Sequence, residues 1–193
     1  MKRILVVNNY DSFIHKILHL LREQGPTLSF DVCYNDRIPF DNIANYDGFV
    51  LSPGPGVPHQ ANQLMTLIAA VCHSHPILGI CLGHQALAEA FGGGLRRLPD
   101  TLYGSKSDLR ILDTGDPLLK RLQQPVSVGR YHTYVVEAGS LPPELKVSSV
   151  DEDGQVMSMY HTELPIHGLQ FHPESHLTEQ GASLVKNWAD TIR

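Results

Sequence analysis

Short apolar runs alternate with stretches whose apolar residues recur at helical spacing through the first half of this chain, and few folds satisfy that pattern. It is how a parallel sheet covered on both faces reads in sequence. Residues 3–8 read as a first strand. Phe13, Ile14, Ile17, Leu18 and Leu21 then recur at helical spacing, with Asp11 or Ser12 available as a cap and Gly25-Pro26 as a stop. Residues 28–34 and 48–51 read as second and third strands, 61–72 as a helix, 77–80 as another buried strand and 85–91 as a helix, which Gly92-Gly93-Gly94 ends. From residue 95 to 172 the segments shorten and alternate, with turn signals at Asp113-Thr-Gly115 and Asp153-Gly154, the pattern of antiparallel hairpins added to the core sheet. A closing helix is expected over 178–192. The expectation is one α/β domain over residues 1–193: three layers, a mainly parallel central sheet flanked by helices, and added antiparallel strands in the second half.

Composition narrows the class of partner. The 193 residues are 42% hydrophobic and 18% charged, enough apolar matter to bury a core, and the net charge is -5. No Lys/Arg run exceeds two residues, so nucleic acid is not an expected partner. The apolar segment Ile4 to Val7 is too short for a signal-peptide core or a membrane span, giving an expectation of a cytoplasmic chain with no membrane contact. Cys33, Cys72 and Cys81 are odd in number and lack a CxxC, which argues for free thiols rather than a disulfide framework or zinc knuckle.

One of those thiols is singular. Cys81 follows an apolar run and precedes a helix, with Gly79 and Gly83 two residues to either side. A G-x-C-x-G turn forces its central residue into strained backbone, and the glycines remove side chains that would collide there. This puts Cys81 at the carboxyl edge of the sheet, where ligands gather in open α/β folds, and pushes the thiol outward. The N–H groups and dipole of the helix start favour a thiolate, the nucleophilic form. The N–H of Leu82 points at the same spot. A free cysteine is otherwise commonly a small buried apolar residue, but paired glycines are not needed for that.

A nucleophile needs a proton acceptor. Of eleven histidines, His15 and His19 read as a solvated helix face without a third metal ligand. His172-Pro173-Glu174 follows a strand-like run at 166–171, and residues two apart in extended chain project to one side, so Glu174 can orient and charge-support His172. Cys81, His172 and Glu174 together make a triad. Ser52-Pro-Gly-Pro-Gly56 follows the third strand at the same edge; prolines carry no N–H, so Gly54 and Gly56 are its early donors, and the Gly56 and Leu82 N–H groups could hold a developing oxyanion. These parts describe acyl transfer through a thioester to water.

The motifs Asn9-Tyr-Asp-Ser-Phe13, Ser52-Pro-Gly-Pro-Gly56, Gly79-Ile-Cys-Leu-Gly-His-Gln85, Tyr131-His132 and Phe171-His-Pro-Glu-Ser175 occur in this order over almost the whole chain. The chain resembles the class I glutamine amidotransferases, and within them the small glutaminase component of anthranilate synthase and of aminodeoxychorismate (para-aminobenzoate) synthase. The resemblance implies a flavodoxin-like three-layer fold. It implies that Cys81 attacks the side-chain amide of L-glutamine, that His172 protonates the departing ammonia while Glu174 supports it, and that water releases glutamate. It further implies glutamine contacts from Gly54, Gly56, Gln85 and the backbone at Thr133 and Tyr134. Its hetero-oligomeric partner by the same resemblance is a chorismate-binding synthase subunit, which receives ammonia by a shielded path, and no metal or cofactor is implied. Asn8 stands where an aspartate is usual, Thr133-Tyr134 where Ser-Leu or Ser-Phe is usual, and Tyr103-Gly-Ser-Lys106 where His-Gly-Lys is common.

Rival readings leave features idle. A cysteine version of an α/β-hydrolase shares the elbow, but there the acid precedes the histidine in the chain, and here Glu174 follows His172. A non-amidotransferase thiol protein of similar fold, a redox sensor or chaperone, explains Cys81 but gives no use to His172-Pro-Glu174 or to the proline-glycine loop.

Overall fold

The computed structural model describes residues 1–192. In chain order the strands are β1 (Lys2–Asn8), β2 (Leu28–Tyr34), β3 (Gly48–Leu51), β4 (Ile77–Ile80), β5 (Leu95–Arg97), β6 (Ser105–Asp108), β7 (Arg110–Ile111), β8 (Ser127–Arg130), β9 (Tyr134–Val136), β10 (Leu145–Val150), β11 (Val156–His161) and β12 (Ile166–Leu169). The α-helices are α1 (Ile14–Arg22), α2 (Leu64–Val71), α3 (Leu82–Ala90) and α4 (Gly181–Thr191). Eight strands form one sheet in the order β2-β1-β3-β4-β12-β11-β10-β7. The first five of that order run parallel, and β11, β10 and β7 continue it antiparallel.

Residue alternation on the parallel strands explains the layers. Ile4, Val6, Val50, Leu78 and Ile80 face one side, where α1 supplies Ile17 and Leu21 and α4 supplies Leu184, Val185 and Trp188. Leu5, Val7, Phe49, Leu51 and Ile77 face the other, covered by Leu64, Leu67 and Ile68 of α2 and Leu82, Ala86 and Leu87 of α3. Strands buried on both faces must be apolar at nearly every position, and β3 and β4 are four buried residues each. Among the described residues no helix is long and apolar enough to cross a membrane.

Several expectations shift in detail. The second half is not simply hairpins on the core sheet. The β10–β11 hairpin, turning at Asp153-Gly154, does extend it, and β12 returns parallel beside β4. By contrast β5 pairs only with β9 and β6 only with β8, in two separate ribbons. Their sequences say why: Leu95-Arg-Arg97 and Ser105-Lys-Ser-Asp108 lack apolar residues for two covered faces. Helix α3 starts at Leu82 rather than 85, since Gln85 N–H already bonds the Cys81 carbonyl at 3.0 Å. Helix α2 starts at Leu64 rather than 61, after a 3-10 turn over Pro58–Gln60. Helix α1 has no side-chain cap; the Asp11 carboxylate accepts from Phe13 N–H at 3.0 Å, and Phe13 is itself the cap residue, two positions further on. Helix α4 starts at Gly181 because Thr178 is spent in the preceding turn, its hydroxyl donating to the His172 carbonyl at 2.7 Å.

Beside the elbow, helix and sheet approach closely. A Cβ on Gly79 would stand 2.5 Å from the Gly83 carbonyl oxygen, and one on Gly83 would stand 2.7 Å from Leu51 Cβ. Gly83→Ala therefore forces α3 away from β3, and overpacking of this kind costs about 1–3 kcal/mol. Urea unfolding of Gly83→Ala against the wild type should show a loss of that size.

Candidate active site

The carboxyl ends of four parallel strands build the site: Asn9 follows β1, Ser52 follows β3, Cys81 follows β4, and Gln170 to His172 follow β12. Cys81 has φ 51° and ψ -99°, left-handed backbone that a non-glycine residue holds only under constraint. The turn is as strained as the sequence implies, but the thiol is not pushed into solvent. Cys81 is 6% exposed, and it lies where two cavities meet.

One cavity, of about 340 Å³, is lined by Gly54, Gly56, Cys81, Gln85, Thr133 and Tyr134 together with Arg97 and Thr101. It brings together all the substrate-contact residues named from sequence except Leu82, which is buried behind Cys81 as the first residue of α3. A residue at that position has no intrahelical partner for its N–H. The other cavity, of about 360 Å³, is lined by Tyr10, Asp11, Phe13, Lys16 and Tyr103 on its outer side and by Cys81, His172 and Glu174 within. Gly54, Pro55, Cys81 and Tyr131 border both.

His172 and Glu174 meet as expected, though not through extended chain. The segment turns, with Ser175 N–H bonding the His172 carbonyl at 3.1 Å, and it is this turn that brings Glu174 Oε1 to 2.6 Å from His172 Nδ1. Nε2, buried and otherwise unpartnered among the described residues, is the ring nitrogen left for Cys81. Burial alone would lower the His172 pKa, but the nearby Cys81 and the hydrogen-bonded Glu174 outweigh it and raise it well above the ordinary histidine value. The Tyr131 ring stands edge-on to the imidazole at 5.0 Å, and its hydroxyl is 3.1 Å from Ser175 Oγ.

The proline-glycine loop is held from β1. Asn9 N–H donates to Ser52 Oγ and Asn9 Nδ2 to the Ser52 carbonyl, both at 2.8 Å. A Cβ on Gly54 would stand 2.6 Å from Asn9 Cβ, so only glycine lets the loop lie against this residue. Asn8, in place of an aspartate, still supplies an acceptor: its Oδ1 takes Asp11 N–H at 2.9 Å. The Thr133 carbonyl is used by Leu98 N–H at 2.8 Å and the Tyr134 carbonyl by Gln85 Nε2 at 2.9 Å. What this segment can offer a ligand is therefore its N–H groups.

Three polar side chains at the site are given no role from sequence, His132 being named only within the Tyr131-His132 motif. Arg97 is the one formally charged side chain lining the smaller cavity, yet in sequence it is one of two adjacent arginines in a short exposed strand. His132 is neutral, its pKa pushed down to about 3 by burial and by the Arg130 guanidinium. Gln170 is fully buried with its amide nitrogen 3.7 Å from Cys81 Sγ; only its place two residues before His172 could have drawn notice. His15 and His19 stay outside the site, and His19 pairs with Glu23 at 3.2 Å on an exposed helix face. Among the described residues no group of three or more His, Cys, Asp or Glu is placed to hold a metal ion.

The chain is 42% identical over 193 residues to anthranilate synthase component 2 of Azospirillum brasilense, covering 98% of this chain and 96% of that one. It is 36% identical over 192 residues to aminodeoxychorismate/anthranilate synthase component 2 of Bacillus subtilis, covering 98% and 99%. It is also 38% identical over 190 residues to the bifunctional protein TrpGD of Thermotoga maritima, covering 97% of this chain but spanning only 32% of that longer protein. Among solved structures, a protein assigned as a GMP synthase subunit from Thermoplasma acidophilum superposes with a TM-score of 0.85 at 28% identity, covering 100% of this chain and 94% of that one. The family model described as glutamine amidotransferase class-I matches residues 5–192, and with a strained cysteine turn, a histidine-carboxylate pair beside it and a proline-glycine loop bordering the same cavity, the chain belongs to the class I glutamine amidotransferases.

Proposed function

We propose that this chain is a glutaminase subunit that hydrolyses L-glutamine to glutamate and ammonia through a thioester on Cys81. The observation that carries the reading is the position of Cys81 between two cavities, with His172 and Glu174 on one side and the Gly54, Gly56, Gln85 group on the other. Glutamine fills the smaller cavity with its α-carboxylate toward Arg97 and its carboxamide at Cys81. The thiolate attacks the carboxamide carbon, and the oxyanion that forms takes hydrogen bonds from Leu82 and Gly56 N–H. The imidazolium of His172, held by Glu174, gives its proton to the amide nitrogen as the C–N bond breaks, leaving the thioester and free ammonia. His172, now neutral, takes a proton from water; the hydroxide adds to the thioester, glutamate leaves and the thiolate returns. No step uses a metal or cofactor.

The ammonia is passed to a chorismate-binding synthase subunit that makes anthranilate or 4-amino-4-deoxychorismate, as the names of the two nearly full-length relatives imply. The rim of the larger cavity supports a docked partner: Tyr10, Phe13 and Tyr103 are 52%, 43% and 80% exposed around it. Large aromatic side chains left in solvent about one opening are the ordinary composition of a protein interface.

The decisive experiment uses the complex reconstituted with such a synthase subunit. Cys81→Ser should abolish product formation from glutamine while formation from ammonium salt at raised pH survives, since free ammonia bypasses the thioester. Retained glutamine-dependent synthesis would remove Cys81 from the nucleophile role. Arg97→Ala should raise the glutamine KM about tenfold with little change in kcat, the loss of one charge-assisted contact made equally in ground and transition states. Glu174→Gln should lower kcat by about 100- to 10,000-fold. It also removes one of the two groups that raise the His172 pKa. The imidazolium is then lost at lower pH, so the alkaline limb of the pH-rate profile should move to lower pH, and an unmoved limb would deny the pair its proton-holding role.

A further inference from the structure

Around the Tyr134 carbonyl the hydrogen-bond directions are not free. A main-chain carbonyl only accepts. Gln85 lies 2.9 Å away through its amide nitrogen and His132 lies 3.0 Å away through Nδ1, so Gln85 presents its NH2 group there and His132 carries its proton on Nδ1. The other side of His132 agrees, because Nε2 receives Arg130 Nε–H at 3.2 Å and arginine can only donate. Arg130 is itself fixed by a buried ion pair with Asp151 and by Gln155 and Ser107.

This polarity propagates toward the nucleophile. The Gln85 NH2 group is also 3.1 Å from the Gln170 carboxamide. Gln170 must turn its oxygen to that donor, since its own NH2 would leave two donors facing one another. Its nitrogen is then the atom 3.7 Å from Cys81 Sγ, within hydrogen-bonding reach of sulfur. Gln170 is completely buried, its backbone N–H bonds the Met157 carbonyl at 2.9 Å, and it lines neither cavity. It therefore acts on substrate only through other residues.

We infer that Gln170 is a positioning residue for Cys81: its carboxamide, oriented by Gln85 and the Tyr134 carbonyl, donates a hydrogen bond to the sulfur and favours the attacking thiolate. A buried thiolate has lost its hydration, and one imidazolium cannot replace all of it. Gln170 supplies a second, uncharged donor that keeps its place when His172 gives up its proton. The two amides in series polarise one another, which strengthens the last bond of the chain. The inference rests on Cys81 as the reacting thiol.

The test needs no partner and no glutamine. The full chain, as wild type, Gln170→Met and Gln170→Glu, is alkylated with iodoacetamide between pH 5 and 9, and modification of Cys81 is followed by peptide mass mapping. Gln170→Met keeps the volume and removes the donor, so the midpoint of Cys81 alkylation should rise by about one pH unit, a tenfold loss of thiolate below it. Gln170→Glu keeps the acceptor for Gln85 but turns a carboxylate oxygen to the sulfur, and its midpoint should rise further. A residue with only a structural role would lower the melting temperature and leave the midpoint alone; an unchanged midpoint in Gln170→Met overturns the assignment. Where Gln170→Met fails to fold, Gln170→Glu decides in the same way. A wild-type Cys81 that alkylates no faster than Cys33, whose thiol burial pushes up to about 11, overturns this assignment together with the nucleophile reading, an outcome distinct from failure of Gln170 alone.

Discussion

The structure depends on how closely α3 lies on the sheet. Where a side chain would ordinarily separate helix from strand, this interface has glycine on both sides: Gly79 of β4 lies beneath Gly83 of α3, and Gly83 itself rests on Leu51 of β3. The next strand continues the floor, since Gly168 of β12 pairs with Gly79 and lies under the His84 ring. The helix is thereby lowered until Cys81 can turn from strand into helix in a single residue, at the cost of left-handed backbone worth about 1–3 kcal/mol. That cost is met by packing on both sides of the turn. Cys81 N–H bonds the Leu169 carbonyl at 2.7 Å and its carbonyl starts the helix, so the residue cannot relax without breaking both.

The same logic explains the Asn9-to-Phe13 motif, which carries none of the proposed covalent chemistry. Asn9 holds Ser52 through two hydrogen bonds, and Asn35 Nδ2 in turn donates to Asn9 Oδ1 at 3.0 Å, with Asn62 Nδ2 on Asn35 Oδ1 at 2.8 Å. A loop of two prolines and two glycines has few N–H groups with which to anchor itself. The asparagine ladder supplies the anchoring from side chains instead, and it runs from the loop past the ends of β1 and β2 to the approach of α2. Within the motif Asn9 is thus the clamp on the wall of the smaller cavity.

Period was the legible part of this fold. The strands β1, β3 and β4 fall within a residue of the apolar runs that announce them, because a strand covered on both faces has to be apolar at nearly every position. The elbow was legible because paired glycines at that spacing have a steric reason. Helix starts were not: Leu82, Leu64 and Gly181 follow the strained Cys81 turn, a 3-10 turn and a turn that uses Thr178, and a threonine that looks like a cap can be used by a neighbouring turn. The two ribbons were hidden because a two-stranded ribbon outside the sheet has no covered pair of faces to shape its sequence. Gln170 and Arg97 were hidden for a related reason. Each is a single polar residue whose meaning comes from what stands opposite it, 89 residues away along the chain in the case of Gln170 and Cys81.

Three buried histidines close to one another show how environment divides roles within one residue type. His84 is completely buried, and burial pushes its pKa down to about 3; it packs over Gly168 as a neutral ring. His132 is driven to a similar value by burial and by Arg130 beside it. His172 faces the same desolvation but has Cys81 and Glu174 as partners, and its pKa goes the other way. The division has a consequence for the chemistry. A cationic His132 would have to donate from Nε2 as well, directly against the guanidinium it now accepts from, so the Arg130–Asp151 pair holds it in one neutral tautomer. With that tautomer fixed, the Tyr134 carbonyl receives one donor from His132 and one from Gln85, and its two lone pairs are used. The imidazolium of His172 is thus the only histidine positive charge that the cluster permits, and it stands next to the sulfur.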